Sequence, residues 1–290
     1  LKDVGHIPES IAIGKVDWNI GIGHTRWATH GGVTITNAHP HFSKDKSFVI
    51  AQNGIVENYT KLKSFLESKG YIFSTQVDTE VIVKMVEYEL KKSKEIKKAL
   101  INTFKKLEGR NTVILLDSRS KRILAIRNGS PLVMGINNEN IYLASDPLAF
   151  SQYTKEIVDI DNGELVEIQN GKWNIYSIKT GKEIIKVSRK EIFSNSDIDK
   201  GKYEHFMLKE IVEQQHTILT ATGYTLKELN PLIKQIKGSK TVYTIGAGTA
   251  GYSADQIAYY LRKISKIKAV SIKAYEIESY IDILNNKDTL

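Results

Sequence analysis

Between Asn111 and about Val187, apolar residues come in short runs broken by turn formers, and no other feature restricts the possible folds as tightly. Thr112–Leu116, Arg122–Ile126, Leu132–Ile136 and Ile141–Ala144 are rich in β-branched and aliphatic residues. Asp-Ser, Asn-Gly-Ser-Pro and Asn-Asn-Glu-Asn separate them, which are turn chemistries. Further short strands are expected over 157–160, 164–168, 173–178 and 184–187. Such spacing suits antiparallel strands and excludes an all-helical domain. Upstream, Ser47–Gln52 reads as a strand that stops at Asn53-Gly54, a pair that readily takes positive φ. Three amphipathic helices follow. The first runs from about Glu57 to Lys69, with Gly70 as its stop, and the second follows Asp78 as N-cap. The third carries Ile96, Leu100, Phe104 and Leu107 at helical spacing and closes at Gly109. Helices inserted into a strand-rich chain predict an α+β layered domain over residues 1–190.

The polar stretch around Phe193–Gly201 reads as a linker, placed at 191–202, and the pattern beyond it is α/β. Helices are expected over about Tyr203–Thr220 and Leu226–Lys237. Then come a strand Thr241–Ile245, the loop Gly246–Gly251, a helix Ser253–Lys263 and a strand Lys268–Tyr275. This is the start of a parallel sheet, a partial α/β domain over 203–290. Gly246-x-Gly248-x-x-Gly251, with Glu276 ending the next strand, matches the dinucleotide fingerprint. The same strand–Gly loop–helix unit binds phosphates in general through backbone N–H groups. Both alternatives stand at this point.

The formal charge is +8, but the lysines alternate with Glu along helices, so a solvated face is favoured over a nucleic-acid surface. No apolar run approaches the roughly 18 residues of a membrane span. With no cysteine, the chain holds no disulfide, thiolate metal site or thiol nucleophile.

The chemistry concentrates in Thr25-Arg26-Trp27-Ala28-Thr29-His30-Gly31-Gly32. A guanidinium suits a bidentate grip on a carboxylate, an indole makes an apolar wall, and paired glycines let backbone approach a ligand. His24, His30, His39 and His41 crowd the region, but none has helical metal-ligand spacing, so structural histidines are favoured over ligands. No metal is expected.

With Asn37-Ala38-His39-Pro40-His41 and Gln52-Asn53-Gly54-Ile55-Val56-Glu57-Asn58, this run resembles the class II, N-terminal nucleophile (Ntn) glutamine amidotransferases. Within them it looks most like the glutamine–fructose-6-phosphate aminotransferase family. Asp78-Thr79-Glu80-Val81, Ala144-Ser145-Asp146 and Phe206–Glu210 carry the same resemblance, which runs from about Gly14 to Tyr275. Gln52 and Val77 stand where His and Thr are commoner. The implied fold is an Ntn-type αββα glutaminase domain followed by a partial sugar-isomerase (SIS) domain.

Glutamine presents a carboxylate, an ammonium and an amide carbon. Arg26 is the cation for the first, Thr29 adds a hydroxyl, and Asp78 is the anion for the second. Asn53 and the Gly54 N–H fit an oxyanion hole. The resemblance assigns these same roles, adds His30 to the glutamine site and puts Trp27 where ammonia leaves. Taken singly, Asn53-Gly54 is also an ordinary turn and Asp78 an ordinary cap. In the second half the family has a Cys-Gly-Thr-Ser loop contacting sugar phosphate. Here Ala247-Gly248-Thr249-Ala250 keeps Thr249 and loses the last hydroxyl, for which Ser253 could compensate.

The parent reaction so implied moves ammonia from glutamine to fructose 6-phosphate, giving glucosamine 6-phosphate and glutamate. The implied enzyme is cytoplasmic, needs no cofactor, and is a homodimer through its SIS domain, without nucleic-acid or membrane partners. Leu1 is no initiator, and the chain is expected to be a fragment lacking the upstream Cys and inactive alone. The competing functions are another class II amidotransferase and a non-catalytic glutamine- or sugar-phosphate-binding regulatory module.

Overall fold

A computed structural model describes residues 2–4, 19–26, 31–192 and 200–289. The chain divides into two compact units, Leu1–Asp199 and Lys200–Leu290.

In the first unit the strands are β1 (His41–Phe42), β2 (Phe48–Gly54), β3 (Asn111–Asp117), β4 (Arg122–Asn128), β5 (Val133–Ile136), β6 (Ile141–Ala144) and β7 (Glu156–Asp159). They continue with β8 (Glu164–Gln169), β9 (Lys172–Ser177), β10 (Glu183–Ile184) and β11 (Arg189–Lys190). A seven-stranded antiparallel sheet runs β1-β2-β3-β4-β8-β9-β10, and a four-stranded one runs β11-β7-β5-β6. Helices α1 (Tyr59–Glu67), α2 (Thr79–Ser93) and α3 (Ile96–Phe104) lie between β2 and β3 in sequence.

Side chains alternate across a strand, so each strand of the large sheet feeds two cores. Ile50, Val113, Leu115, Leu124 and Ile126 face the helices and pack on Leu66, Ile82, Met85 and Leu100. Ala125, Val166 and Ile175 face the small sheet and pack on Leu132, Met134, Val158 and Ile160. On the outer face of the small sheet, Phe150 packs with Val133 and Ile157. Phe150 belongs to the 3-10 turn Pro147–Phe150, which Asp146 caps by accepting the Leu148 N–H at 2.8 Å. The layers are therefore helices, sheet, sheet and, among the described residues, this one turn. It is an α+β architecture with antiparallel sheets.

Several expectations need correction. β2 does not stop before Asn53-Gly54 but ends with them, in register with Thr112 and Asn111. Gly54 has φ +139°, and a Cβ there would lie 2.0 Å from the Arg110 carbonyl oxygen. Close approach of β3, not a turn, requires this glycine. The third helix ends at Phe104; Gly109 sits further on, against the Ile55 carbonyl. The strand expected over 184–187 is only Glu183–Ile184, and Val187 is exposed.

The second unit contains α4 (Phe206–Ala221), α5 (Leu226–Gly238), β12 (Val242–Gly246), α6 (Gly248–Lys263) and β13 (Ala269–Lys273). Thr225 and Glu228 form a reciprocal capping box at the start of α5. β12 and β13 pair in parallel on either side of α6, and Val242, Ala258 and Ala269 form their small core. Helix α6 starts at Gly248 rather than near Ser253, so most of the glycine loop is its first turn. Residues 193–199 of the expected linker lie outside the described residues.

Two alanine substitutions separate close approach from simple turn strain. Gly70 has φ +81°, and a methyl group added there would meet open space, so Gly70→Ala should cost about 1–2 kcal/mol. Gly54→Ala adds a collision with backbone and should cost about 3 kcal/mol or more. Urea unfolding midpoints of the two variants would measure the difference.

Candidate functional site

One cleft of about 290 Å³ opens where the segment 24–26, His39, the end of β2 and the first turn of α2 converge. Arg26, Asn53, Gly54 and Asp78 all line it. Trp27, Thr29 and His30 lie outside the described residues. Thr249 belongs to the second unit, on the exposed first turn of α6, where its carbonyl accepts from Ser253 Oγ at 3.4 Å.

The backbone at the end of β2 is set by the ladder. Ile55 N–H donates to the Arg110 carbonyl at 3.2 Å. Antiparallel pairs alternate between bonded and non-bonded, so the neighbouring Gly54↔Asn111 pair turns its Gly54 N–H away from β3. Asn53 beside it is exposed, and its side-chain amide makes no hydrogen bond among the described residues. Two donors are thus available at the lip of the cleft.

Asp78 stands at the N-cap position of α2, as expected, but its backbone is helical and it does not cap through its side chain. Instead Oδ2 accepts the Val56 N–H at 2.8 Å, tying the loop after β2 to the start of α2. The side chain is buried, and no described group donates to Oδ1. The next turn is tied by Glu80, which accepts from the backbone and hydroxyl of Ser74 and the backbone of Thr75. Burial alone would raise the Glu80 carboxyl, but the hydrogen bonds from Ser74 and Thr75 outweigh it and hold it low.

Arg26 enters the cleft wall with Nη1 donating to the Gly32 carbonyl at 3.0 Å and Nη2 to the Gly31 carbonyl at 3.2 Å. That turn is itself fastened by Asn37. Its Nδ2 donates to the Gly32 carbonyl at 3.0 Å, and its Oδ1 accepts the Gln76 N–H at 3.1 Å. Fixing the guanidinium through carbonyls leaves its charge uncancelled by those partners. A cation and a carboxylate on one cleft suit a zwitterionic ligand.

Three of the expected histidines do come together. The His24 and His39 rings lie 4.2 Å apart and those of His39 and His41 5.0 Å apart, edge to face. Burial first, then the neighbouring His24, His41 and Arg26, push His39 down to about 2. Burial and Lys2 push His41 to about 4. Burial also lowers His24, against the Gln52 carbonyl, which favours its charged form. All three are neutral at pH 7. Among the described residues no group of three or more His, Asp or Glu side chains is arranged to hold a metal.

Sequence reasoning passed over Gln52, given little weight beside its neighbours, and also Thr79 and Asn111. Gln52 Nε2 donates to Asn111 Oδ1 at 2.7 Å, and Thr79 Oγ donates to Gln52 Oε1 at 2.6 Å. A signal was present: Phe48, Ile50 and Gln52 share one strand face, so a polar residue stands at a core position.

With this geometry in view, the glutamine amidotransferase domain family matches residues 24–152. The glutamine–fructose-6-phosphate aminotransferase of Methanococcus maripaludis is 36% identical over 256 residues, 86% of this chain and 43% of that protein. That of Clostridium acetobutylicum is 35% identical over 281 residues, 94% of this chain and 46% of that protein. Over residues 24–152 the chain is a glutamine amidotransferase domain. The helix–sheet–sheet order is the α+β layering expected, although among the described residues a 3-10 turn stands where the expected αββα arrangement has its second helix layer. Among solved structures, the glutamine phosphoribosylpyrophosphate amidotransferase from B. subtilis covers 86% of this chain and 50% of its own. Its identity is 19% and its TM-score 0.47. The chain spans less than half the length of these curated relatives. No helix among the described residues is long and apolar enough to cross a membrane.

The neutral histidines make an acid-lability prediction for the amidotransferase domain. Unfolded histidine, near 6.5, binds a proton that buried His39 and His41 refuse until about 2 and 4. Between those values the unfolded state holds more protons, so stability is full above pH 6.5 and falls as pH drops. The slope below pH 6 should reach about 1.4 kcal/mol per pH unit for each histidine. Urea unfolding from pH 7 to 5, with His41→Gln losing one such slope, would check it.

Proposed function

We propose that the cleft binds L-glutamine and that the whole protein is a glutamine–fructose-6-phosphate aminotransferase. The observation that carries the reading is the convergence of Arg26, Asp78, Asn53 and Gly54 on one cleft. It occurs in a chain whose relatives bear that activity in their names. Arg26 holds the α-carboxylate and Asp78 Oδ1 the α-ammonium, which leaves the side-chain amide directed at the lip of β2. There Asn53 Nδ2 and the Gly54 N–H receive the charge that forms on the amide oxygen during attack. Donors already in place cost no reorganisation when that charge appears. Thr29 and His30 complete the glutamine site, and Trp27 borders the exit for ammonia. No residue of the cleft is assigned the role of nucleophile, since the chain contains no cysteine.

Residues 203–290 are proposed to be the start of a SIS domain, and Thr249 a contact to sugar phosphate. Its exposed position at the N-terminus of α6 supports this, because helix N-termini favour anions. The cytoplasmic location and the dimer through the SIS domain belong to the same proposal, as does a place in amino-sugar formation. Close packing accounts for Gly246 without a dinucleotide: a Cβ there would lie 2.3 Å from the Ala250 carbonyl oxygen.

The whole enzyme incubated with glutamine and fructose 6-phosphate should yield glutamate and glucosamine 6-phosphate in equal amounts by mass spectrometry. Glutamate without amino sugar would indicate a different acceptor. In that enzyme, Arg26→Ala should raise KM for glutamine by about tenfold or more while leaving ammonia-dependent synthesis near wild type. Asn53→Ala should lower glutaminase kcat by about a hundredfold with little change in KM.

A further inference from the structure

Gln52, Thr79 and His39 form a buried hydrogen-bond chain beside the cleft, and its direction can be worked out. The Glu108 carbonyl can only accept, so Asn111 presents its Nδ2 there, at 3.2 Å. That turns Asn111 Oδ1 toward Gln52, which must answer with Nε2, at 2.7 Å. Gln52 Oε1 is thereby left to accept, and it takes the only hydroxyl hydrogen of Thr79, at 2.6 Å. Thr79 Oγ then accepts from His39 Nε2 at 2.9 Å, which makes His39 the Nε2–H tautomer. Gln52, Thr79, His39 and Asn111 are all buried, so the protein partners, rather than bulk water, set the direction of these bonds.

We infer that Gln52 and Thr79 are positioning residues of the glutamine site. Their one-way relay, donating from His39 through to the Glu108 carbonyl, holds the strand end bearing Asn53 and Gly54 at a set distance from the helix turn bearing Asp78. Gln52 immediately precedes the two donors, and Thr79 immediately follows the anion. Reaction geometry that misses by about 1 Å loses roughly a hundredfold in rate, so such a clamp acts on turnover. The inference rests on the cleft being a glutamine site.

The test uses the whole enzyme for kinetics and the nitrogen-15 signature of the His39 ring for the relay. Thr79→Val keeps the side-chain shape and removes the hydroxyl. It should lower glutaminase kcat by about tenfold or more, change KM for glutamine by less than about threefold, and abolish the bias of His39 toward Nε2–H. Thr79→Ser should restore both the rate and the tautomer. Gln52→Glu, which faces Asn111 Oδ1 with an acceptor, should match Thr79→Val in rate. A Thr79→Val enzyme with wild-type kcat would overturn the positioning role, as would a wild-type His39 in the Nδ1–H form. A Thr79→Ser enzyme as slow as Thr79→Val would do the same. Wild-type enzyme with no glutaminase activity would instead overturn the reading of the cleft itself.

Discussion

The pairing of β2 with β3 is the constraint on which the cleft depends. It runs unbroken from Phe48↔Asp117 to Gly54↔Asn111 and brings backbone so close at its end that no Cβ fits on Gly54. The Ile55 N–H bond to the Arg110 carbonyl sets the parity of the ladder there, and parity aims the Gly54 N–H away from β3. The pairing also places Asn111 under Gln52, and so begins the buried chain that reaches the first turn of α2. A strand that ended one residue earlier would lose the donor, the tie to Asn111 and the brace on the helix together.

The electrostatics around the cleft follow from how each charge is held. Two carbonyls orient Arg26, and neither cancels its charge. Asp78 commits one oxygen to the Val56 N–H, so its direction is fixed while the other oxygen has no described donor. The histidines beside them are neutral, since a further buried cation next to Arg26 would cost far more than an imidazole does. The cleft therefore carries one side chain of each charge, Arg26 and Asp78, each held in a set direction by hydrogen bonds to backbone.

The glycines of the second unit illustrate how one fingerprint serves several ligands. Gly246 and Gly251 let the start of α6 lie against the end of β12, and Gly248 takes φ +54°. These are demands of strand-to-helix packing, and they arise whatever phosphate is bound. The acidic residue that would favour a dinucleotide is displaced: Glu276 lies in the 3-10 segment Ala274–Ser279, beyond the end of β13.

Much of this protein could be read directly from its sequence. Alternating apolar runs separated by turn residues located nearly every strand of the first unit, because the two-residue period of a strand is a local property. The three helices were equally legible from their spacing. Residue chemistry and resemblance also single out Arg26, Asn53, Gly54 and Asp78, which the fold brings to one cleft. The sequence could not say how these groups are held, because that is decided by contacts between residues far apart in the chain. Asn53-Gly54 looked like a turn, and it is a strand end because Arg110, distant in sequence, packs against it. Asp78 looked like a side-chain cap, and it instead receives the N–H of Val56. Gln52 looked incidental, and it joins Asn111 to Thr79. Local propensity determined the elements and residue type determined the chemistry. The direction in which each polar group points was left to tertiary structure, since a buried donor or acceptor takes whichever partner the fold brings within reach.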